Sequence, residues 1–276
     1  NLLDDQNKFV LESTLTGFCR IFEFHANVFL QSVMEIVIIA PYDMYMTKLT
    51  ALLQQNSHIA ELSLQVIRSI TDCLSSTSTS PESCALSRNV YPLLNTITGF
   101  AFNSQKIDDT NNYFKVIMNL LTCCKMPDVA CRYIEFLIGK FQAITLRNEV
   151  STNLRSNILS SMFTCLLVLQ HCVLNEQLLN SLLALVIGYF QSMKEVNPEG
   201  LYVMSGLSIV FKRAFSKVVD QVWPYIVHGL SKVQQFNVED EPAVVKVALN
   251  CISDISRSIT VDFQPKFEET MNILVK

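Results

Sequence analysis

The chain has 276 residues, of which 50% are hydrophobic, 25 are Asp or Glu, 21 are Lys or Arg, and only seven are Gly. A mean hydropathy of +0.29 means ample apolar surface for a long core, which excludes disorder over most of the sequence. A net charge of −4 and a pI near 5.6 exclude nucleic acid as the main partner, since phosphates call for a basic face, and point toward basic macromolecules.

In chain order, residues 1–25 supply one isolated second helix, at about Lys8–Glu23, followed by a connector at Ala26–Ala40. The connector holds the most apolar run, "VFLQSVMEIVIIA" (Val28–Ala40). Gln31 and Glu35 interrupt it, and it is shorter than the roughly 20 residues of a bilayer span, so no membrane insertion is expected. The opening "NLLDDQNK" has no signal-peptide pattern, which predicts a soluble, intracellular protein. Helix pairs follow at about 42–75, 89–125, 128–172, 175–215 and 218–259, and a last first helix occupies 262–276. A Ser/Thr-rich loop, "SSTSTSPESCA" (Ser75–Ala85), joins two of the pairs and is expected to be mobile.

The periodicity is helical. "YFKVIMNLLTCC" (Tyr113–Cys124) and "LLNSLLALVIGYF" (Leu178–Phe190) are apolar on a broad face or all round. Val247–Ile259 keeps apolar residues at 247, 248, 249, 252, 255 and 259, a stripe at helical spacing. Sustained period-two alternation is absent, so the fold is predicted to be all-α.

A Gly recurs late in an apolar helix at Gly99, Gly139, Gly188 and Gly229, at separations of 40, 49 and 41 residues. Each of these helices precedes a polar turn and a second helix. Helix pairs at this period are the signature of HEAT or armadillo arrays, and the lack of a recurrent third helix selects a HEAT-repeat α-solenoid, a superhelix of antiparallel helix pairs. An interior Gly costs about 1 kcal/mol relative to Ala, so four at matching places predict close helix packing there. The sequence starts and stops mid-repeat, which reads as part of a longer array.

Catalysis finds no support. His25, His58, His171 and His228 are scattered singly, and H-E-x-x-H, G-x-x-x-x-G-K-[ST] and G-x-S-x-G are all missing. His171 and Cys172 are neighbours, but adjacent residues on a helix diverge by about 100°. No enzyme, metal, cofactor or small-molecule substrate is expected. Nine Cys without any C-x-x-C read as reduced core thiols.

"DISRSITVDFQPKFEETMNIL", preceded by "WPYIVHGLSKV", resembles the middle of the importin-β family of nuclear import karyopherins. So do "NVYPLLNTITGF", "ACRYIEFLIGKFQAI" and the run from "LRSNILSSMFTCLLVL" to "VDQVWPYIVHGL", while "MTKLTALLQQNSHIAELSLQVIRSITDCL" matches more weakly. The resemblance implies a non-enzymatic HEAT superhelix with first helices outside and second helices lining the inner face. It also implies inner-face binding of cargo or an importin-α-like adaptor, release by Ran-GTP, Phe-Gly nucleoporins on the outer helices, and residence in cytoplasm, nucleus and nuclear pore. Where the family carries adaptor-packing Trp residues this sequence has Thr16 and Gln65, and its single Trp is Trp223 on an outer helix. Another HEAT scaffold, of phosphatase or vesicle-coat type, is the alternative.

Two readings stay open for each candidate contact. Glu239, Asp240 and Glu241 complement a helix dipole or meet a basic cargo segment or Ran. Glu12, Glu61 and Asp72, on earlier inner helices, are solvated surface or the same kind of contact. Trp223, Tyr225, Phe263 and Phe267, on consecutive outer helices, either form inter-repeat core or line a groove for a nucleoporin Phe. "FKRAFSK" (Phe211–Lys217) complements a helix C-terminus or meets an acidic partner.

Overall fold

The computed structural model describes residues 7–25, 42–53, 57–75, 90–104, 106–145, 151–232 and 243–274. The Ala26–Ala40 connector, most of the Ser75–Ala85 loop and the Glu239–Glu241 cluster lie outside these residues. The chain divides into two compact units, Asn1–Val129 and Ala130–Lys276.

The first unit contains α1 (Lys8–His25), α2 (Tyr42–Leu53), α3 (Ser57–Ser75), α4 (Val90–Asn103) and α5 (Ile107–Cys124). α2 packs on α3 and α4 on α5, while α1, α3 and α5 lie side by side as a second-helix layer. Apolar positions at helical spacing decide which faces close. α3 buries Val66, Ile67 and Ile70, and α5 buries Phe114, Ile117, Leu120 and Leu121. Each such side chain contributes roughly 1.5–3 kcal/mol.

The second unit holds most of α6 (Pro127–Thr145), then α7 (Thr152–Val168), α8 (Glu176–Met193) and α9 (Pro198–Phe211). The one-turn α10 (Arg213–Ser216), α11 (Val219–Ser231), α12 (Ala243–Ile259), a 3-10 turn (Thr260–Phe263) and α13 (Gln264–Leu274) complete it. Here α7, α9 and α12 form the second-helix layer, and α9, between the other two, is buried nearly all round. Polar N-caps start three of these helices. The side chains of Ser151, Asn175 and Asn197 accept from the backbone N–H groups of Asn153, Gln177 and Gly200 at 3.2, 2.9 and 3.0 Å. Pro198 stands in the first turn of α9, where its missing N–H costs nothing.

Left-handed C-caps usually take Gly, but this chain uses lysine. Lys125 (φ 44°, ψ 39°) closes α5 and Lys194 (φ 56°, ψ 19°) closes α8. The cation complements the helix dipole while the backbone bears some strain. The helix expected to run to residue 215 breaks at Lys212 (φ 41°, ψ −106°), and the break turns Phe215 fully into the core.

The expectation that four late glycines mark close packing fails at three of them. Gly99, Gly139 and Gly188 are exposed, with nothing within 4 Å of where a Cβ would stand. Gly229 is buried, and its Cβ would stand 3.2 Å from Leu201 Cδ1. On α9, a Cβ at Gly200 would run into the Phe190 ring of α8, and one at Gly206 would lie 3.0 Å from Leu166 Cβ and 3.1 Å from Phe163 Cδ2 of α7. A late position in the helix is a sequence coincidence; the neighbouring helix decides whether the missing methyl matters.

Candidate partner-binding surfaces

The four aromatics of the expected groove part company in the structure. Trp223 of α11 is only 3% exposed, and Phe263 at 6% meets it edge-on, with centroids 5.7 Å apart. The indole Nε1 donates to Glu269 Oε2 of α13 at 2.6 Å. Lys266 Nζ lies 5.7 Å from the centroid of the indole ring and 2.7 Å from Asp220 Oδ1. Trp223 therefore fastens α13 to α11 through apolar contact, a charge-assisted hydrogen bond and a nearby cation.

Tyr225, two residues on, turns to the other side of α11. It leans on Phe190 of α8 at 5.5 Å, and its hydroxyl accepts from Gln191 Nε2 at 3.1 Å. Phe267 is 55% exposed, and so to a lesser degree is Met271, one turn later on α13. Trp223 and Phe263 thus share one seam, Tyr225 lies on another, and Phe267 faces water.

Of the acidic candidates, the side chains of Glu12 and Glu61 are described, and their surroundings differ. Glu12 pairs with Lys8 of its own helix at 3.6 Å. The side chain of Asp72 is outside the described set, as are Glu239, Asp240 and Glu241. Glu61 lines a cleft of about 420 Å³ between α3 and α5, together with Gln65, Arg68, Asp109, Asn112 and Tyr113. Burial, then the charges of Asp109 and Glu61, push the Tyr113 phenol above its ordinary value, so it stays a neutral donor. Thr16 is turned onto its own helix, its hydroxyl donating to the Glu12 carbonyl at 2.8 Å. Gln65 thus helps to line a polar cleft where the resemblance placed an aromatic ledge.

Of the basic run, Lys217 reaches Glu176 of α8 at 3.2 Å, and Arg213 is exposed. Cys165 and Cys251 are fully buried thiols pushed far up, mainly by burial and secondarily by Cys131 and Asp254 respectively. One exposed feature escaped sequence reasoning. Phe163 of α7 and Tyr202 of α9, both half-buried, stack at 5.2 Å and 28° on the second-helix layer. Their 39-residue separation matches the repeat period, the one signal that could have joined them.

Among the described residues no group of three His, Cys, Asp or Glu is placed to hold a metal ion, and no helix is long and apolar enough to cross a membrane. Paired helices whose second members stack in layers define a HEAT-repeat fold, all-α and of the solenoid class. Residues 140–276 match the family model described as importin subunit beta-1-like, TPR repeats. Residues 140–276 are thus importin-β-like in sequence, and the chain has a HEAT-repeat fold.

Solved structures agree on the fold. Yeast importin-β (Kap95p) matches with a TM-score of 0.73 at 19% identity, covering 100% of this chain and 31% of that one. A Kap95:Nup1 complex gives the same values, and Kap95p bound to RanGDP gives a TM-score of 0.65 at 19% identity, covering 99% and 32%. The chain thus spans about a third of the length of these relatives. No curated protein sequence matches it.

Proposed function

We propose that the protein acts in nuclear import as a non-catalytic receptor scaffold. Its second-helix layer holds cargo or an importin-α-like adaptor, its first helices take Phe-Gly motifs of nucleoporins, and Ran-GTP shifts it between bound and released states as it moves between cytoplasm and nucleus through the pore. The family match over residues 140–276 carries this reading. Kap95 in complex with Nup1 and Kap95p with RanGDP supply the partner classes by analogy. Each helix pair counts as one HEAT repeat, with boundaries near 42–75, 89–125, 128–172, 175–215 and 218–259.

Glu12, Glu61, Asp72, Glu239, Asp240 and Glu241 are the proposed contacts for a basic cargo segment or for Ran. For a nucleoporin Phe the accessible candidates are Tyr225, on its seam with Phe190, and Phe267, while Trp223 and Phe263 support the helices from beneath. Solenoids suit this work because a long wall offers area and small rotations per repeat adjust it to different partners.

The test is a calorimetric titration with a Phe-Gly repeat peptide and a Ser-Gly control. Saturable heat is expected from the first alone, and it should weaken in Tyr225→Ala or Phe267→Ala. Silence with both peptides would refute the transport reading and favour a HEAT scaffold of phosphatase or vesicle-coat type.

A further inference from the structure

The seams of the second-helix layers are built in two different ways. In the second unit α9 is locked on both sides. Gly206 lets it approach α7 until the virtual Cβ would stand 3.0 Å from Leu166, and the Ser205 hydroxyl donates to Asp254 Oδ2 of α12 at 2.5 Å. Close-packed seams of this kind have no room to move without opening a void.

In the first unit the seam between α3 and α5 is a wedge. Near the C-terminal ends of both helices the Cys123 thiol reaches the Thr71 carbonyl at 3.3 Å, forming a pin. Toward the N-terminal ends the helices leave the cleft of about 420 Å³, the volume share of roughly a dozen waters. Arg68 does not fill it with apolar contact. Its side chain runs back along the seam, and Nη1 donates to Asn112 Oδ1 of α5 at 3.0 Å.

The Arg68–Asn112 bond draws the helices together across the cleft. Glu61 of α3 and Asp109 of α5 line it together with the cations Arg68 and Lys106, so opposite charges share a largely polar gap that Leu64 and Val116 also border. A hydrogen bond across such a gap is not the steep contact repulsion of a packed core, and water can enter or leave it at little cost.

We propose that the α3/α5 seam is a hinge in the second-helix layer, opening and closing about the Thr71–Cys123 pin with the Arg68 side chain as its strap. The α7/α9 and α9/α12 seams move as rigid neighbours. Adjustment of the first unit's layer to a partner uses this seam. The inference does not depend on which partner is bound.

The experiment measures distances between spin-labelled amino acids encoded at His58 and Asp108, two exposed positions at the mouth of the wedge. A control pair at Ile209 and Arg257 spans the locked α9/α12 seam. A broader distribution is expected for the first pair than for the control. Arg68→Met should move it to longer distances, with helical content unchanged by circular dichroism. Equal widths for the two pairs, or an Arg68→Met variant that keeps its helices and leaves the distribution in place, would overturn the hinge. The readout needs no ligand, so its failure is separate from a failed Phe-Gly titration.

Discussion

Replacing single glycines by alanine tests the packing argument with opposite signs in one protein. At Gly99, Gly139 and Gly188 a methyl group would enter open space on a helix, with no positive φ to oppose it. Each substitution recovers helix propensity and trims unfolded-state entropy, so stabilisation of about 0.4–1 kcal/mol is expected. At Gly206 the same propensity gain is available, but the new Cβ would stand 3.0 Å from Leu166 Cβ and 3.1 Å from Phe163 Cδ2. Leu166 Cβ is tied to its backbone and cannot swing away, so α7 and α9 must separate by several tenths of an ångström. Overpacking of this kind costs about 1–3 kcal/mol, which exceeds the gain. Gly206→Ala should therefore lie roughly 1–3 kcal/mol below Gly188→Ala, a difference of neighbours within one unit. Urea denaturation followed by far-ultraviolet circular dichroism measures it. Gly206→Ala as stable as Gly188→Ala, or any of the three exposed substitutions destabilising, would show that the assigned packing faces are wrong.

Lys212→Gly should stabilise the chain by about 1 kcal/mol, because φ 41° and ψ −106° strain any L side chain; an unchanged or lower urea midpoint would remove that strain from the account. Trp223→Phe keeps most of the apolar contact but loses the hydrogen bond to Glu269, an exposed carboxylate that water can serve instead, so a loss of about 1–2 kcal/mol is expected by the same assay. Cys165 and Cys251 should resist alkylation in the native chain at pH 9, their ordinary pKa, and react on unfolding, as peptide-resolved mass spectrometry can show. With both thiols raised in the folded state, the unfolded chain loses their protons first; stability is intact below pH 9 and should fall as pH rises above it.

Much of the architecture was legible because it is local. Period-3.6 stripes such as that of α12 and the lack of period-two runs specify helices from residues a few positions apart. The candidate sites were legible only in part. Trp223 and Tyr225 stand two apart and read alike, yet one is sealed under α13 and the other leans on α8, because a stripe locates a face on its own helix and says nothing about what covers it. Gln65 stood out in the sequence only as a departure from the family's Trp, and Arg68 not at all; only the approach of α5 made them the lining and the strap of a cleft.

The sequence by itself determined that the chain is helical, that its helices come in pairs, and that its second half carries an importin-β-like pattern. Each rests on backbone preferences and spacings within one or two turns, or on the order of short segments. Tertiary structure alone decided that Gly206 is a contact while Gly99 is bare, that Trp223 is buried while Phe267 is wet, and that one seam is a polar wedge while another is locked. The physical reason is the same in all three. Burial and contact belong to pairs of surfaces, and the second member of each pair lies on another helix, some 40 residues away for Gly206 and Leu166.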